Sequence, residues 1–196
     1  SYDQAVISYD RALSLYPSSP SIYLAKAQLE ITNGNIVKAR EYINEALKRK
    51  SNYTDAIFLL TQIEVAAGNT KKAIETVSSA TLLSPTNPVL FFQLGLLNYN
   101  DKSFSKAVES FERAVSLEPQ YANARYFLGL SYERLGRTDS AIAQFEEIAK
   151  TNPDNEEVQL ILDNLKAGRT PFARVEPPLD DKPEKRNTPP VSENQQ

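Results

Sequence analysis

The feature that most constrains this chain is a period of 34 residues. One row of alanines keeps that interval without a slip: Ala5, Ala39, Ala73, Ala107 and Ala141. A second row keeps the same register and changes residue type only at its last member: Ala12, Ala46, Ala80, Ala114 and Ile148. Self-similarity at a fixed period of about 20 to 50 residues is typical of proteins built from stacked structural units. We therefore expect an array of equivalent units.

Helix breakers mark the ends of the helices in each unit. Prolines recur at the same period, with Ser51 in the vacant position: Pro17, Pro85, Pro119 and Pro153. Glycines form a further row, interrupted by Lys102: Gly34, Gly68 and Gly136. Glycine favours the left-handed conformation that ends many helices, and proline cannot continue a helix. Because apolar residues in 91–99 and 107–114 follow helical spacing, each unit is predicted to be a helix, a turn and a second helix.

The best-defined units carry a specific set of packing residues. In one unit these are Leu94, Gly95, Ala107, Phe111, Ala114 and Pro119, and in the next they are 128–132, Gly136, Ala141, Phe145 and Pro153. This pattern resembles the tetratricopeptide repeat over about residues 1–155. The sequence departs from that family at Lys26, a usual leucine position, and at Glu30 and Glu64, which replace an aromatic residue. The resemblance implies an all-α fold, a right-handed superhelical solenoid of antiparallel helix hairpins.

Four segments are expected along the chain. They are the second helix of a truncated repeat, four repeats of 34 residues, a capping helix and a disordered tail, at residues 1–19, 20–155, 156–167 and 168–196. Asn155 suits the start of the capping helix, which solenoids require. The tail holds six of the 12 prolines and cannot form a packed core. Since the chain contains no Met, we also expect it to be a fragment of a longer protein.

The residue types that most catalytic and metal sites need are absent from the sequence. With no His and no Cys, the chain offers no histidine base, no Ser-His-Asp triad and no thiolate ligand. Adjacent glutamates such as Glu146 and Glu147 diverge on a helix instead of flanking a substrate. The glycines do not form a phosphate-binding loop. We therefore expect no enzyme activity, no cofactor and no metal.

Bulk charge does not select a partner for this chain. A net charge of −3 gives no electrostatic reason to bind nucleic acid or an anionic membrane. The sequence also lacks the run of about 18 apolar residues that would span a bilayer. The expected partner is a protein or peptide, without direct membrane contact. The oligomeric state stays open, and so does the compartment. The chain lies in the cytoplasm, or it is attached to a membrane protein through a preceding region.

The candidate binding surface is the face of each first helix that lies opposite its packing positions. Residues three and four apart share a helix face, so this face is expected to line the inside of the solenoid. Its candidate contact residues are Leu24, Gln28, Phe58, Gln62, Phe92, Leu96, Tyr99, Tyr126, Leu130 and Arg134. Two interpretations of the aromatic rings stay open. They anchor a partner, or they pack against the first helix of the neighbouring repeat.

Glu30 and Glu64 lie one period apart and also allow two interpretations. They form a recurrent binding pair, or they are helix-edge side chains that reach a nearby lysine or arginine. The second interpretation is favoured because most glutamates are solvated or paired surface charges.

The leading functional hypothesis is a scaffold that binds a peptide or partner protein. Tetratricopeptide modules that grip the C-terminal carboxylates of chaperones carry Lys, Asn and Arg at set inner positions. In this chain those positions hold Leu24, Gln28, Phe92 and Gln93. The concave groove lined by the first helices is therefore expected to bind an extended or helical segment with apolar anchors.

Two other functions stay open. The stretch from Asn152 to Phe172 resembles the ends of bacterial repeat proteins, some of which place their repeats behind an O-antigen-ligase-like membrane domain. That likeness implies a soluble accessory region of a larger membrane-bound enzyme of glycan assembly. The other alternative is a structural spacer, which would bind no partner.

Overall fold

The computed structural model describes residues 1–173 and 190–191. All regular secondary structure within these residues is helical: α1 Tyr2–Leu15, α2 Pro20–Thr32, α3 Ile36–Arg49, α4 Thr54–Ala66, α5 Thr70–Leu83, α6 Pro88–Asn100, α7 Phe104–Leu117, α8 Ala122–Arg134, α9 Thr138–Thr151 and α10 Glu156–Lys166. The all-α class implied by the resemblance is confirmed. Across this described part of the chain, every helix is too short or too polar to cross a membrane.

The chain divides into two compact units, Ser1–Pro85 and Thr86–Gln196. In the first unit, α1 packs on α2, and the hairpins α2–α3 and α4–α5 follow. The second unit contains the hairpins α6–α7 and α8–α9, and α10 packs on α9. Each unit has its own apolar core, so each is a stack of helical hairpins built on the same plan.

The alanine row of the sequence marks where the two helices of a hairpin approach most closely. All four members in α3, α5, α7 and α9 are fully buried: Ala39, Ala73, Ala107 and Ala141. The glycines inside α6 and α8 face the aromatic rings of their partner helices. A Cβ atom on Gly129 would lie 2.7 Å from the ring of Phe145, and one on Gly95 would overlap the ring of Phe111. Small residues and rings therefore alternate across the helix contacts, as close packing requires.

The turn inside each hairpin has the same backbone geometry. The residues in the glycine row have φ angles of 80° at Gly34, 77° at Gly68 and 71° at Gly136, and Lys102 has 61° in the same place. This left-handed conformation disfavours residues with a Cβ atom. Lys102 therefore adopts a strained backbone conformation, and the turn keeps the same geometry as at the glycines.

The described parts of the tail, residues 168–173 and 190–191, are packed, whereas the sequence predicts disorder from residue 168 onward. The buried side chain of Asn164 donates hydrogen bonds to the carbonyl oxygens of Pro171, at 2.9 Å, and Ala173, at 2.8 Å. Phe172 packs against the core of the second unit, and Val191 is buried in it. Composition missed these contacts because single apolar residues in a polar tail carry little statistical weight. Residues 174–189 and 192–196 lie outside the described part of the chain.

Candidate functional site

In the first unit, two of the four predicted contact residues are open to solvent. Gln28 on α2 and Gln62 on α4 are exposed, and Phe58 is half-buried. Leu24 is buried and belongs to the core of the unit, so it is not available to a partner. The exposed glutamines lie one period apart, as expected of residues on the same face of successive first helices.

An apolar pocket opens beside Gln62 in the first unit. Its volume is about 370 Å³, and it is lined by Ile31, Ile36, Leu59, Gln62, Ile63, Ala66 and Ala67. These residues come from α2, from the start of α3, and from the C-terminal half of α4 with its C-cap, Ala67. Gln62 is the only polar member, so the pocket offers mostly apolar surface and one amide. A pocket of this size and character accepts one or two apolar side chains.

In the second unit, most of the predicted aromatic stripe belongs to the core. Tyr99, Tyr126 and Leu130 are buried, which corrects their assignment as open contact residues. The ring of Phe92 is half-buried and contacts Tyr121, with 4.9 Å between ring centroids. Here the packing interpretation accounts for the rings, because the same helix face meets the neighbouring first helix.

Two predicted contact residues of the second unit remain outside its closed core. Leu96 is half-buried and packs against the core cluster, whereas Arg134, at the end of α8, is exposed. Within each unit, therefore, only some of the predicted contact residues are open to solvent.

A second site was missed by sequence reasoning. Asn123 in the first turn of α8 and Asn155 at the N-cap of α10 both donate side-chain hydrogen bonds to the tail. The acceptors are the carbonyl oxygens of Val191, at 3.3 Å, and Pro190, at 2.9 Å. The only sequence signal for this site was the capping role of Asn155. The tail has no periodic pattern from which its contacts could be predicted.

Glu64 is held inside an ion-pair network of the first unit. Its fully buried carboxylate lies 3.0 Å from Arg40 Nε and 3.1 Å from Lys72 Nζ, and it accepts a hydrogen bond from Asn69 at 2.9 Å. The hydrogen bond from Asn69, together with Lys72 and Arg40, keeps the pKa of Glu64 below its usual value despite burial. This is the favoured interpretation of the sequence, in which the glutamate reaches basic neighbours.

Glu30 has different partners from Glu64. It accepts hydrogen bonds from Tyr2, at 2.9 Å, and from Asn35, at 2.7 Å. Burial alone would raise the pKa of Glu30, but the hydrogen bonds from Asn35 and Tyr2 outweigh it and lower the pKa. The two glutamates are thus internal contacts between helices and do not form a paired binding site.

The geometry of acidic side chains does not favour a metal centre. Within residues 1–173 and 190–191, no cluster of three or more Asp and Glu side chains is placed to hold a metal ion. The described residues offer an apolar pocket and side-chain amides, which suit the apolar side chains and backbone of another polypeptide.

A family model described as tetratricopeptide repeat matches residues 1–54 and 92–156. The chain belongs to the tetratricopeptide repeat family. The match covers repeats in both units and includes Ala39, Ala107 and Ala141 of the buried alanine row. Among curated proteins, no sequence matches this tetratricopeptide repeat chain significantly.

Solved structures show the same fold at low sequence identity. MamA is 22% identical, with a TM-score of 0.63, over 76% of this chain and 87% of MamA. YrrB, described as a TPR protein with an unusual peptide-binding site, is 21% identical, with a TM-score of 0.62, over 81% of each chain. A thermophilic TPR protein from Thermus thermophilus, TTC0263, is 23% identical, with a TM-score of 0.58, over 85% of this chain and 91% of its own. At these identities the likeness shows the fold alone.

Proposed function

We propose that this tetratricopeptide repeat chain is a non-catalytic scaffold that binds a peptide segment through apolar anchors. The observation that carries the proposal is the open apolar pocket of about 370 Å³ beside Gln62 in the first unit. The pocket takes the anchoring side chain, and the exposed amides of Gln28 and Gln62 pair with the peptide backbone. YrrB is similar in fold and is described as having a peptide-binding site, which supports the same use of the fold here.

The pocket can be closed without disturbing the core. Ala66 lines the pocket and is exposed, so phenylalanine at this position fills the opening while displacing no buried side chain. Peptides selected from a displayed library against the full chain should bind Ala66→Phe at least about tenfold more weakly, a loss of roughly 1.4 kcal/mol. Fluorescence anisotropy with a labelled selected peptide measures the change.

A matched control separates pocket filling from the addition of a surface ring. Ala143 on α9 is exposed and lies outside the pocket, so Ala143→Phe should bind the selected peptides as the unmodified chain does. Equal binding by the two variants would refute the pocket. A library that yields no binder would favour the structural spacer.

A further inference from the structure

Two described residues of the tail, Pro190 and Val191, occupy a site between the first turns of α8 and α10. Val191 is 2% exposed and is part of the core cluster of the second unit, although it lies 68 residues from Asn123 in sequence. We propose that this is a separate peptide-binding site for a Pro–Val segment and that the chain's own Pro190–Val191 is its built-in ligand. An outside peptide with the same residues then binds only by displacing the tail.

The amide of Asn155 is oriented independently of the tail. Its Oδ1 atom accepts a hydrogen bond from the backbone N–H of Val158 at 3.0 Å, which caps α10. With the oxygen fixed in this way, the Nδ2 group is left to donate to Pro190, at 2.9 Å. A donor that is already positioned binds a carbonyl oxygen with little loss of side-chain entropy.

The two helices that form the site are held together below it. The hydroxyl group of Tyr126 on α8 donates a hydrogen bond to Glu157 on α10. Residues three apart share a helix face. On α8, Asn123 therefore shares a face with the buried Tyr126, and Asn155 is related in the same way to the buried Val158 of α10. The site therefore combines two backbone-binding amides with an apolar floor.

The groups that recognise the tail define the ligand class. Both hydrogen bonds go to main-chain carbonyl oxygens, which any peptide supplies. Selectivity comes from the enclosed space that holds Val191, because it admits a small branched apolar side chain and excludes a charged one. The ligand is thus an uncharged Pro–Val segment.

This inference rests on the proposed function only in requiring that the repeats bind peptide, and it concerns a different unit of the chain. The pocket beside Gln62 belongs to Ser1–Pro85, whereas Asn123, Asn155 and Val191 belong to Thr86–Gln196. Peptides selected for the first pocket should bind the full chain equally with or without the Val191 contact. The two proposals therefore fail separately.

The test uses the full chain and a labelled synthetic peptide with the sequence of residues 188–193. Val191→Asp releases the tail, since a carboxylate does not enter the apolar space. Fluorescence anisotropy should show that Val191→Asp binds the peptide at least tenfold more tightly than the unmodified chain. If the two bind equally, the tail does not compete and the proposal is overturned.

A second substitution tests the recognising amide. In the Val191→Asp background, Asn155→Asp keeps the oxygen that caps α10 but removes the donor to the peptide, so peptide binding should fall at least tenfold. Asn87 caps α6 through its bond to Val89 in the same manner, and Asn87→Asp is the matched control that should bind normally. Circular dichroism verifies that both variants fold. Equal binding by Asn155→Asp and Asn87→Asp would overturn the assignment of this site.

Discussion

At the scale of single residues, the side chains that depart from the family pattern are paired inside the protein. Lys26 stands at a usual leucine position, and its ammonium group lies 2.5 Å from Asp10 and 4.5 Å from the ring centroid of Tyr42. Glu64 stands at a usual aromatic position and pairs with Arg40 and Lys72. Each departure thus replaces an apolar contact by a polar one between helices. The sequence identifies a residue that departs from the family pattern, but its interaction partners are known only from the arrangement of the helices.

The buried carboxylate of Glu64 makes stability depend on pH. Its pKa is lowered in the folded chain, so the stabilisation is fully present above the unfolded value, near 4.5, and is lost as pH falls through the folded value. Glu64→Gln should therefore be less stable than the unmodified chain at pH 7, and the difference should shrink as the pH is lowered to about 3. Urea unfolding followed by circular dichroism at several pH values measures this difference.

Glu75 on α5 provides a matched control, because it is an exposed glutamate in the same unit. Glu75→Gln should change stability little at any of these pH values. A stability gap between Glu64→Gln and the unmodified chain that stays constant down to pH 3 would contradict the role assigned to the Glu64 network.

At the scale of helices, the two regular patterns in the sequence differ in how far they determine structure. The alanine row predicts close helix contacts, and those contacts are present because only a small residue fits there. The aromatic row does not distinguish a binding surface from a packed one, since a ring at one helix position satisfies either. Phe58 is half-buried, whereas Tyr126, two periods later, is fully buried. The helices were therefore predictable from the period, but the exposure of their faces was not.

Ala107 on α7 tests the close contact in one hairpin. The residue is fully buried, so Ala107→Leu should destabilise the second unit by roughly 1–3 kcal/mol through overpacking. Ala143→Leu on the exposed side of α9 is the matched change and should have little effect. Urea denaturation midpoints compare the variants. An unchanged midpoint for Ala107→Leu would mean that the core has room at this contact.

At the scale of the whole molecule, the chain consists of two units with separate cores, and the described tail residues belong to the second. The described tail contacts fall into two groups. Residues 168–173 extend the end of α10, where Asn164 donates to two of their carbonyl oxygens. Pro190 accepts a hydrogen bond at the start of α10, and Val191 accepts one at the start of α8. Long-range contacts by isolated residues leave no period in a sequence, so the contacts of residues 168–173 and 190–191 could not be predicted from the repeat pattern.

Two truncations should separate these groups. Removing residues 174–196 should destabilise the second unit by roughly 1 kcal/mol or more, because the buried side chain of Val191 and the hydrogen bonds from Asn123 and Asn155 to Val191 and Pro190 are lost. Removing residues 168–196 should cost roughly 1–3 kcal/mol more, since the buried amide of Asn164 loses both acceptors. Thermal unfolding of the two shortened chains measures the difference. Equal stability would show that residues 168–173 contribute nothing to the fold.

The seating of Val191 beside Asn123 has a consequence for how the chain responds to the amount of a partner. A covalently attached ligand remains at the same local concentration however far the protein is diluted, because the tether moves with it. A free peptide gains no such advantage, and its occupancy rises only once its own concentration exceeds that of the tethered segment. If the tail competes as proposed, the second unit would thus need a higher concentration of a free Pro–Val peptide for half occupancy than the same site without its tail.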